Sequence, residues 1–297
     1  MKEFEYQAPT SLAQAVQLMA ELNGRARAMA GGTDLLVQIR QNRQTPERVV
    51  DVKKIPELNE LRYDGSRGLT VGAAVPCYRI YRDRAVAQSY PGLIDSASII
   101  GGIGIQGRAT LGGNLCNSSP SGDALPTMIA LGATAVIAGP NGQREVPVEQ
   151  FCTAPGRNVL RPGELLVAIR FPAPPANSGA HYQRFIPRYE MDIAIVGVGA
   201  QVELDTDKRT VRSARIALGA VAPTPLFVPE AGTALEGKPA NEESFRQAGE
   251  IAKEAAKPIT DMRGTAAQRK HLVGVLTRRV LMGAAARARG EVVHASH

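Results

Sequence analysis

The sequence has little of what marks several functional classes. No stretch approaches the roughly 18 apolar residues that a membrane-crossing helix needs, and the N-terminal MKEFEYQAPTSLAQAV has no apolar core of a secretion signal, so a cytoplasmic protein without a membrane span is expected. The three cysteines, Cys77, Cys116 and Cys152, are odd in number and form no C-x-x-C pair. That argues against a disulfide framework and against a zinc or iron–sulfur site built by this chain alone. Four histidines, His181, His271, His294 and His297, show neither metal-ligand spacing nor a place in a Ser-His-Asp arrangement, so no catalytic acid–base residue and no metal ligand is expected. The net charge of +7 is spread over separate residues such as Arg25, Arg27, Arg40, Arg43, Arg278 and Arg279, with no patch interleaved with aromatics. Nucleic-acid binding is therefore not expected. A basic surface suits an anionic cofactor and an acidic partner subunit equally well. Internal repeats and low-complexity tracts are also missing.

What remains is ordinary in bulk. Hydrophobic residues make up 44 % and charged ones 21 % of 297, enough chain for two domains of usual size or one large one. In SLAQAVQLMAEL, Leu12, Ala15, Val16, Met19 and Leu22 share a helical face, which Asn23-Gly24 ends. RARAMA (25–30) predicts a short strand running into Gly31-Gly32, and RVVDV (48–52) another. LTVGAAV (69–75), TAVIAG (134–139) and ELLVAIRFP (164–172) read as strands, PGLIDSASII (91–100) and DALPTMIALG (123–132) as helices, and Pro140-Asn141-Gly142 as a turn. APPANSGA (173–180) is the best linker candidate. After it, DIAIVGVGAQVEL (192–204) and VRSARIALGAV (211–221) alternate as in an antiparallel sheet, and helices are predicted over 242–257 and 265–289. The chain reads as α+β. Its expected division is a domain over 1–175, with subdomains of about 1–60 and 61–175, a second domain over 176–290, and a tail over 291–297.

The densest signal is GGIGIQGRATLGGNLCNSSPSGD, residues 101–123. Gly102, Gly104 and Gly107 spell the G-x-G-x-x-G of a dinucleotide turn, which must follow a strand and open a helix. The preceding segment reads as helical and RATLGGN is poor helix material, so the match is read as accidental. Glycine pairs followed by Thr or Asn suit a different chemistry. Without Cβ atoms the backbone can approach a pyrophosphate and turn its N–H groups toward it. Thr33 and Asn114 would add side-chain hydrogen bonds. The loops AGGTDLL (30–36) and TLGGNLC (110–116), each after a candidate strand, are expected to converge on one ligand, although either alone would be an ordinary turn.

These two loops, the segment HYQRFIPRYEMDIAIVGVGA (181–200), and the stretches VVDVKKIPELNEL (49–61), VGAAVP (71–76) and DMRGTAAQRKHLVGVLTRRVL (261–281) together resemble the FAD-binding medium subunit of molybdenum hydroxylases. Those are the carbon monoxide dehydrogenase, xanthine dehydrogenase and aromatic hydroxylase complexes, and the likeness covers about residues 1–290. It implies a vanillyl-alcohol-oxidase (PCMH) type FAD fold of two α/β subdomains, followed by a C-terminal α+β domain with an antiparallel sheet and helices. It further implies FAD contacts from Ala30, Gly31, Gly32, Thr33 and Asp34, and from Thr110, Leu111, Gly112, Gly113 and Asn114. Leu35 and Leu36 would begin the helix behind the first loop. Asp123 would touch the sugar or adenine side, and Leu166 would pack near the flavin ring. Arg184 holds the place of a basic residue near the flavin, often Lys; the plain alternative is a solvated strand charge. Cys116 is read as a packing residue.

The implied activity is electron transfer within an oxidoreductase. Substrate would be hydroxylated at a molybdenum cofactor on a large subunit, and electrons would pass through [2Fe-2S] clusters on a small subunit to FAD in this chain and on to an external acceptor. The implied assembly is a dimer of heterotrimers. The additional cluster of benzoyl-CoA-type relatives is not expected from three separated cysteines. Two other readings stay open. One is a stand-alone FAD-dependent oxidase or reductase of the same superfamily, although no histidine lies near the loops for a covalent flavin link. The other is a non-catalytic binding module, against which the intact glycine pairs and Asn114 weigh.

Overall fold

The computed structural model describes residues 2–188 and 191–294; the end of the expected tail, 295–297 with His297, lies outside the described residues, as do Tyr189 and Glu190. The chain begins with β1 (Glu5–Gln7), α1 (Leu12–Glu21), β2 (Ala26–Met29), α2 (Leu35–Arg40) and β3 (Arg48–Asp51). Ser11 caps α1 by accepting from the Gln14 N–H, and the predicted helical face buries Ala15 and Met19. The three strands are parallel in the order β1-β3-β2, each crossover made by a helix.

A second group follows: β4 (Leu61–Asp64), β5 (Gly68–Gly72), α3 (Cys77–Arg82), α4 (Arg84–Ser89), α5 (Pro91–Ala97), α6 (Leu111–Asn117), α7 (Ala124–Ala130), β6 (Thr134–Gly139), β7 (Gly142–Pro147), β8 (Cys152–Ala154), β9 (Arg157–Asn158) and β10 (Leu165–Phe171). Its sheet is antiparallel in the order β4-β5-β10-β6-β7, with β8 and β9 as a separate ribbon. The central β10 is buried at every position but Arg170, which explains its unbroken apolar sequence. Two expectations fail here. The second glycine loop follows turns and a single bridge between Pro76 and Thr110, not a strand. RATLGGN also does enter a helix, α6, because Thr110 caps it and Leu111 and Leu115 are wholly buried, so packing overrides the low propensity of Gly-Gly.

The third group comprises β11 (Ser178–Phe185), β12 (Val196–Leu204), β13 (Val211–Gly219), β14 (Leu226–Phe227), α8 (Pro229–Thr233), α9 (Glu242–Ala255) and α10 (Ala266–Ala288). β11 starts within the stretch read as a linker. The antiparallel order β11-β12-β13-β14 bears out the alternation seen in sequence. Val196, Val198, Ala200 and Val202 share a core with Val273, Leu276, Val280 and Leu281 of α10, so α10 covers one face. The other face takes α7. A Cβ on Gly199 would sit 2.7 Å from the Pro126 carbonyl carbon, so α7 rests on bare strand backbone.

A buried charge cluster ties these groups together. Asp95 of α5 accepts from both terminal nitrogens of Arg287 in α10 (2.6 and 2.9 Å), from His181 Nδ1 (2.6 Å) and from the Tyr182 N–H (3.2 Å). Burial acts to raise the Asp95 carboxyl, but His181 and Arg287 outweigh it and hold it below the usual carboxylate range. A lowered folded-state pKa gives stability that is present above the unfolded value of about 3.9 and is lost as pH falls through it toward the folded value. Breaking one side of a buried pair costs about 3–5 kcal/mol. Asp95→Ala should therefore lower urea-unfolding stability by about that amount at neutral pH. The variant should also show a shallower loss of stability on acidification below about pH 4 than the parent.

Candidate functional site

β2 delivers the chain at Met29 into Ala30-Gly31-Gly32-Thr33-Asp34, where Gly32 takes φ +77°, a left-handed conformation suited to glycine. Asp34 then opens α2 with no side-chain cap bond, and Leu35 begins the helix as expected. Among the described residues, the N–H groups of Gly32, Thr33 and Asp34 donate to no acceptor within the chain. They form a row of open donors of the kind that binds anions. Asp34 is exposed at the mouth of the cavity, yet the surrounding protein desolvates it enough to raise its carboxyl.

The second loop is built differently. The Thr110 hydroxyl accepts from the Gly113 N–H at 2.8 Å, fixing the first turn of α6. Gly112 is a packing residue, since a Cβ there would lie 2.6 Å from the Ala73 carbonyl oxygen. At Gly113 an added Cβ would meet only the Thr110 hydroxyl, at 3.1 Å, and the remaining space is open. Asn114 Oδ1 accepts from the Ala124 N–H at 3.3 Å, which leaves Nδ2 without a protein acceptor among the described residues.

The two loops meet backbone to backbone. A Cβ on Gly31 would stand 2.0 Å from the Arg108 carbonyl oxygen. Arg108 Nε donates to the Gly31 carbonyl at 3.2 Å, and behind the loops Gln38 Nε2 of α2 donates to Asn117 Oδ1 of α6 at 2.9 Å. Between them lies a cavity of about 720 Å³, within the range of small-molecule sites. Ala30, Gly31, Gly32, Thr33, Asp34, Thr110, Gly112, Gly113, Asn114 and Leu166 line it. Leu166 sits at an irregularity in the β6–β10 pairing.

Three expected residues lie elsewhere. Leu111 is wholly buried in the core. Asp123 and Arg184 do not line the cavity; they pair with each other at 2.7 Å, and Asp123 also accepts from the Tyr182 hydroxyl at 2.9 Å. Arg184 is thus a buried ion-pair partner rather than a solvated strand charge. Burial pushes the Asp123 carboxyl up, against the opposing pull of Arg184 and the Tyr182 hydroxyl.

Sequence reasoning missed the basic rim. Arg27, Arg43, Arg157 and Arg161 all line the cavity. The stretch GRNVLRPGE (156–164), two arginines among turn residues, carried that signal in part. Asn158 of the same ribbon holds the Cys116 carbonyl at 2.9 Å. Burial raises the Cys116 thiol to about 12, so it stays protonated beside the cavity, in keeping with a packing role.

The sequence matches two families over most of its length. Residues 2–174 match the FAD binding domain in molybdopterin dehydrogenase, and residues 181–284 the CO dehydrogenase flavoprotein C-terminal domain. The chain belongs to this FAD-binding, medium-subunit family of the molybdopterin dehydrogenases. Among individual proteins, it is 31 % identical over 288 residues to the xanthine dehydrogenase FAD-binding subunit of Escherichia coli, covering 97 % of this chain and 98 % of that one. It is 33 % identical over 284 residues to the carbon monoxide dehydrogenase medium chain of Hydrogenophaga pseudoflava, covering 96 % and 98 %. A solved chain of reconstituted CO dehydrogenase from Oligotropha carboxidovorans superposes with a TM-score of 0.91 at 32 % identity, over 96 % of this chain and 99 % of that one. The expected fold of an FAD-binding part followed by a C-terminal α+β part is thereby borne out.

The Gly31–Arg108 contact generates a prediction independent of any ligand. Overpacking a tight contact typically costs about 1–3 kcal/mol. Gly31→Ala should lose about that much in denaturant unfolding and should speed proteolysis of the loop around Arg108, whereas Gly104→Ala, with open space around its Cβ position, should change neither.

Proposed function

We propose that this chain is the FAD-carrying electron-transfer subunit of a molybdenum-containing hydroxylase or dehydrogenase complex. It takes electrons from [2Fe-2S] clusters of a small partner subunit and passes them to an external acceptor, while a large subunit carries the molybdenum cofactor. A dimer of heterotrimers in the cytoplasm is the assembly that fits this reading; among the described residues no helix is long and apolar enough to cross a membrane. One observation carries the proposal: in a chain of this family, two glycine loops, one after β2 and one at the start of α6, meet over one cavity with open N–H donors and four arginines in its lining.

These residues fit FAD. The open N–H groups of Gly32, Thr33 and Asp34 and the bare Cα of Gly113 would hold the diphosphate, and the rim arginines would balance its charge. Asn114 Nδ2 would donate to the same ligand. Leu166, on a core strand, would give the flavin an apolar wall, and Leu160 and Pro162 extend that surface. FAD supplies the one- and two-electron chemistry when bound; the protein binds, orients and shields it. Asp123 and Arg184 act one step back, fixing the start of α7, whose Ala124 N–H holds Asn114. The same reading divides the chain near residue 175 into the FAD-binding part and the C-terminal part.

A branched side chain at Gly113 should block backbone approach to the diphosphate, so Gly113→Val should purify folded but nearly free of flavin, read from its visible absorption. Asn114→Ala removes one ligand donor at a cost of about 1–3 kcal/mol, which should weaken FAD binding roughly tenfold to a hundredfold in a fluorescence titration. Unchanged affinity would move the cofactor away from this loop.

The relay assignment has its own test. The chain, loaded with FAD and mixed anaerobically with purine, aromatic or carbon monoxide substrates, should keep its flavin oxidised until the molybdenum and iron–sulfur subunits are added. Rapid bleaching by any of these substrates in the lone subunit would replace the relay with a stand-alone oxidase.

A further inference from the structure

A second cavity, of about 260 Å³, is lined by Lys53, Asn59, Tyr78, Arg79, Gly107 and Arg108, with Ala74 and Pro76. Its charge is unbalanced. Asp51 pairs with Lys53 and also accepts from the Tyr6 hydroxyl at 2.6 Å. Arg79 and Arg108 have no carboxylate partner among the described residues. Each guanidinium makes a single hydrogen bond within the chain, Arg79 Nη1 to the Asn59 carbonyl at 3.3 Å and Arg108 Nε to the Gly31 carbonyl at 3.2 Å. Arg79 is half-buried, so its guanidinium is partly withdrawn from water with no counter-charge beside it among the described residues.

The frame around these cations is fixed. Asn59 Nδ2 donates to the Lys53 and Ile55 carbonyls, both at 2.8 Å, and the Tyr78 N–H donates to the Gln106 carbonyl at 3.2 Å. Gly107 leaves open space where a side chain would stand.

We propose that this cavity binds a phosphate group, either free or borne on a nucleotide. Two guanidiniums with open donors suit the oxygens of a phosphate, while Lys53 is already paired with Asp51. At about 260 Å³ the space lies just below the usual range for a whole drug-sized ligand, so it takes a phosphate head and not an entire dinucleotide. Arg108 bears on both places: its Nε donates to the Gly31 carbonyl of the cradle, and the residue lines the second cavity.

The test uses the full chain and two probes, inorganic phosphate and AMP, followed by phosphorus-31 NMR and calorimetry at near-physiological ionic strength. Saturable phosphate binding is expected. Arg79→Ala and Arg79→Lys should each weaken it, the former at least about tenfold as charged hydrogen bonds are lost. Thermal melts report folding of each variant whether or not flavin binds. Binding should persist in Gly113→Val, which closes the glycine cradle and leaves the second cavity intact. Displacement by AMP at lower concentration than phosphate assigns the site to a nucleotide-borne group; displacement only by phosphate assigns it to the free anion. Non-saturating binding, equal affinity in a folded Arg79→Ala protein, or loss of binding in Gly113→Val would each overturn the proposal.

Discussion

The site rests on one approach: the α-carbon of Gly31 lies so close to the Arg108 carbonyl that any side chain would stand within 2.0 Å of it. Gly31 leaves a parallel three-stranded sheet, and Arg108 leaves the turns that precede a helix of the antiparallel unit. Neither loop alone has more than a turn's worth of donors. Pressed together they border one cavity, and at glycine the backbone can bring N–H groups to a ligand without a side chain in between. Glycine in ordered structure costs roughly 1 kcal/mol against alanine, so a run of glycines here is tolerated because the cores on either side hold it.

Open donors and a ring of like charges are costly to keep. An N–H that is partly withdrawn from water and has no acceptor in the chain is disfavoured, and four arginines lining one cavity repel one another. Both costs vanish when an anion enters, because each donor gains an acceptor and the rim gains a counter-charge. A folded state that carries such strain is stabilised by its ligand through mass action. The exposed Asp34 carboxylate at the mouth works the other way. Its raised pKa shows that desolvation already disfavours its charge there, which limits how far it opposes an incoming anion.

How much of this could be read beforehand follows from how local each signal is. Helix α1, the strand TAVIAG and helices α9 and α10 came from periodicity and capping within single segments, and their bounds agree to within a few residues. The resemblance carries the two loops, since six ordered motifs outweigh one. Helices α3 and α4 went unread because six residues each give no periodicity, and the cap at Asp83 is legible only once both are known. Helix α6 was misread because Gly-Gly propensity is weak evidence against two buried leucines and a threonine cap. The Asp123–Arg184 pair joins residues far apart in sequence, and nothing in either neighbourhood announces the other. The rim arginines were illegible for the same reason, each looking like an ordinary exposed charge until the fold gathered them.

The C-terminal sheet is therefore more than an attachment to the cradle. Asp123 stands at the head of α7, bound by Tyr182 and Arg184 of β11, while the adjacent Ala124 N–H holds Asn114 at the cavity wall. Asp95, one helix away, depends on His181 and Arg287 from the same C-terminal part. Remove that part and two buried carboxylates lose their cations while α7 loses the bare strand it rests on. One polar wall of the cavity is thus set by residues whose own partners belong to a sheet that, among the described residues, does not line it, and buried charge as well as apolar packing joins the two parts of the chain.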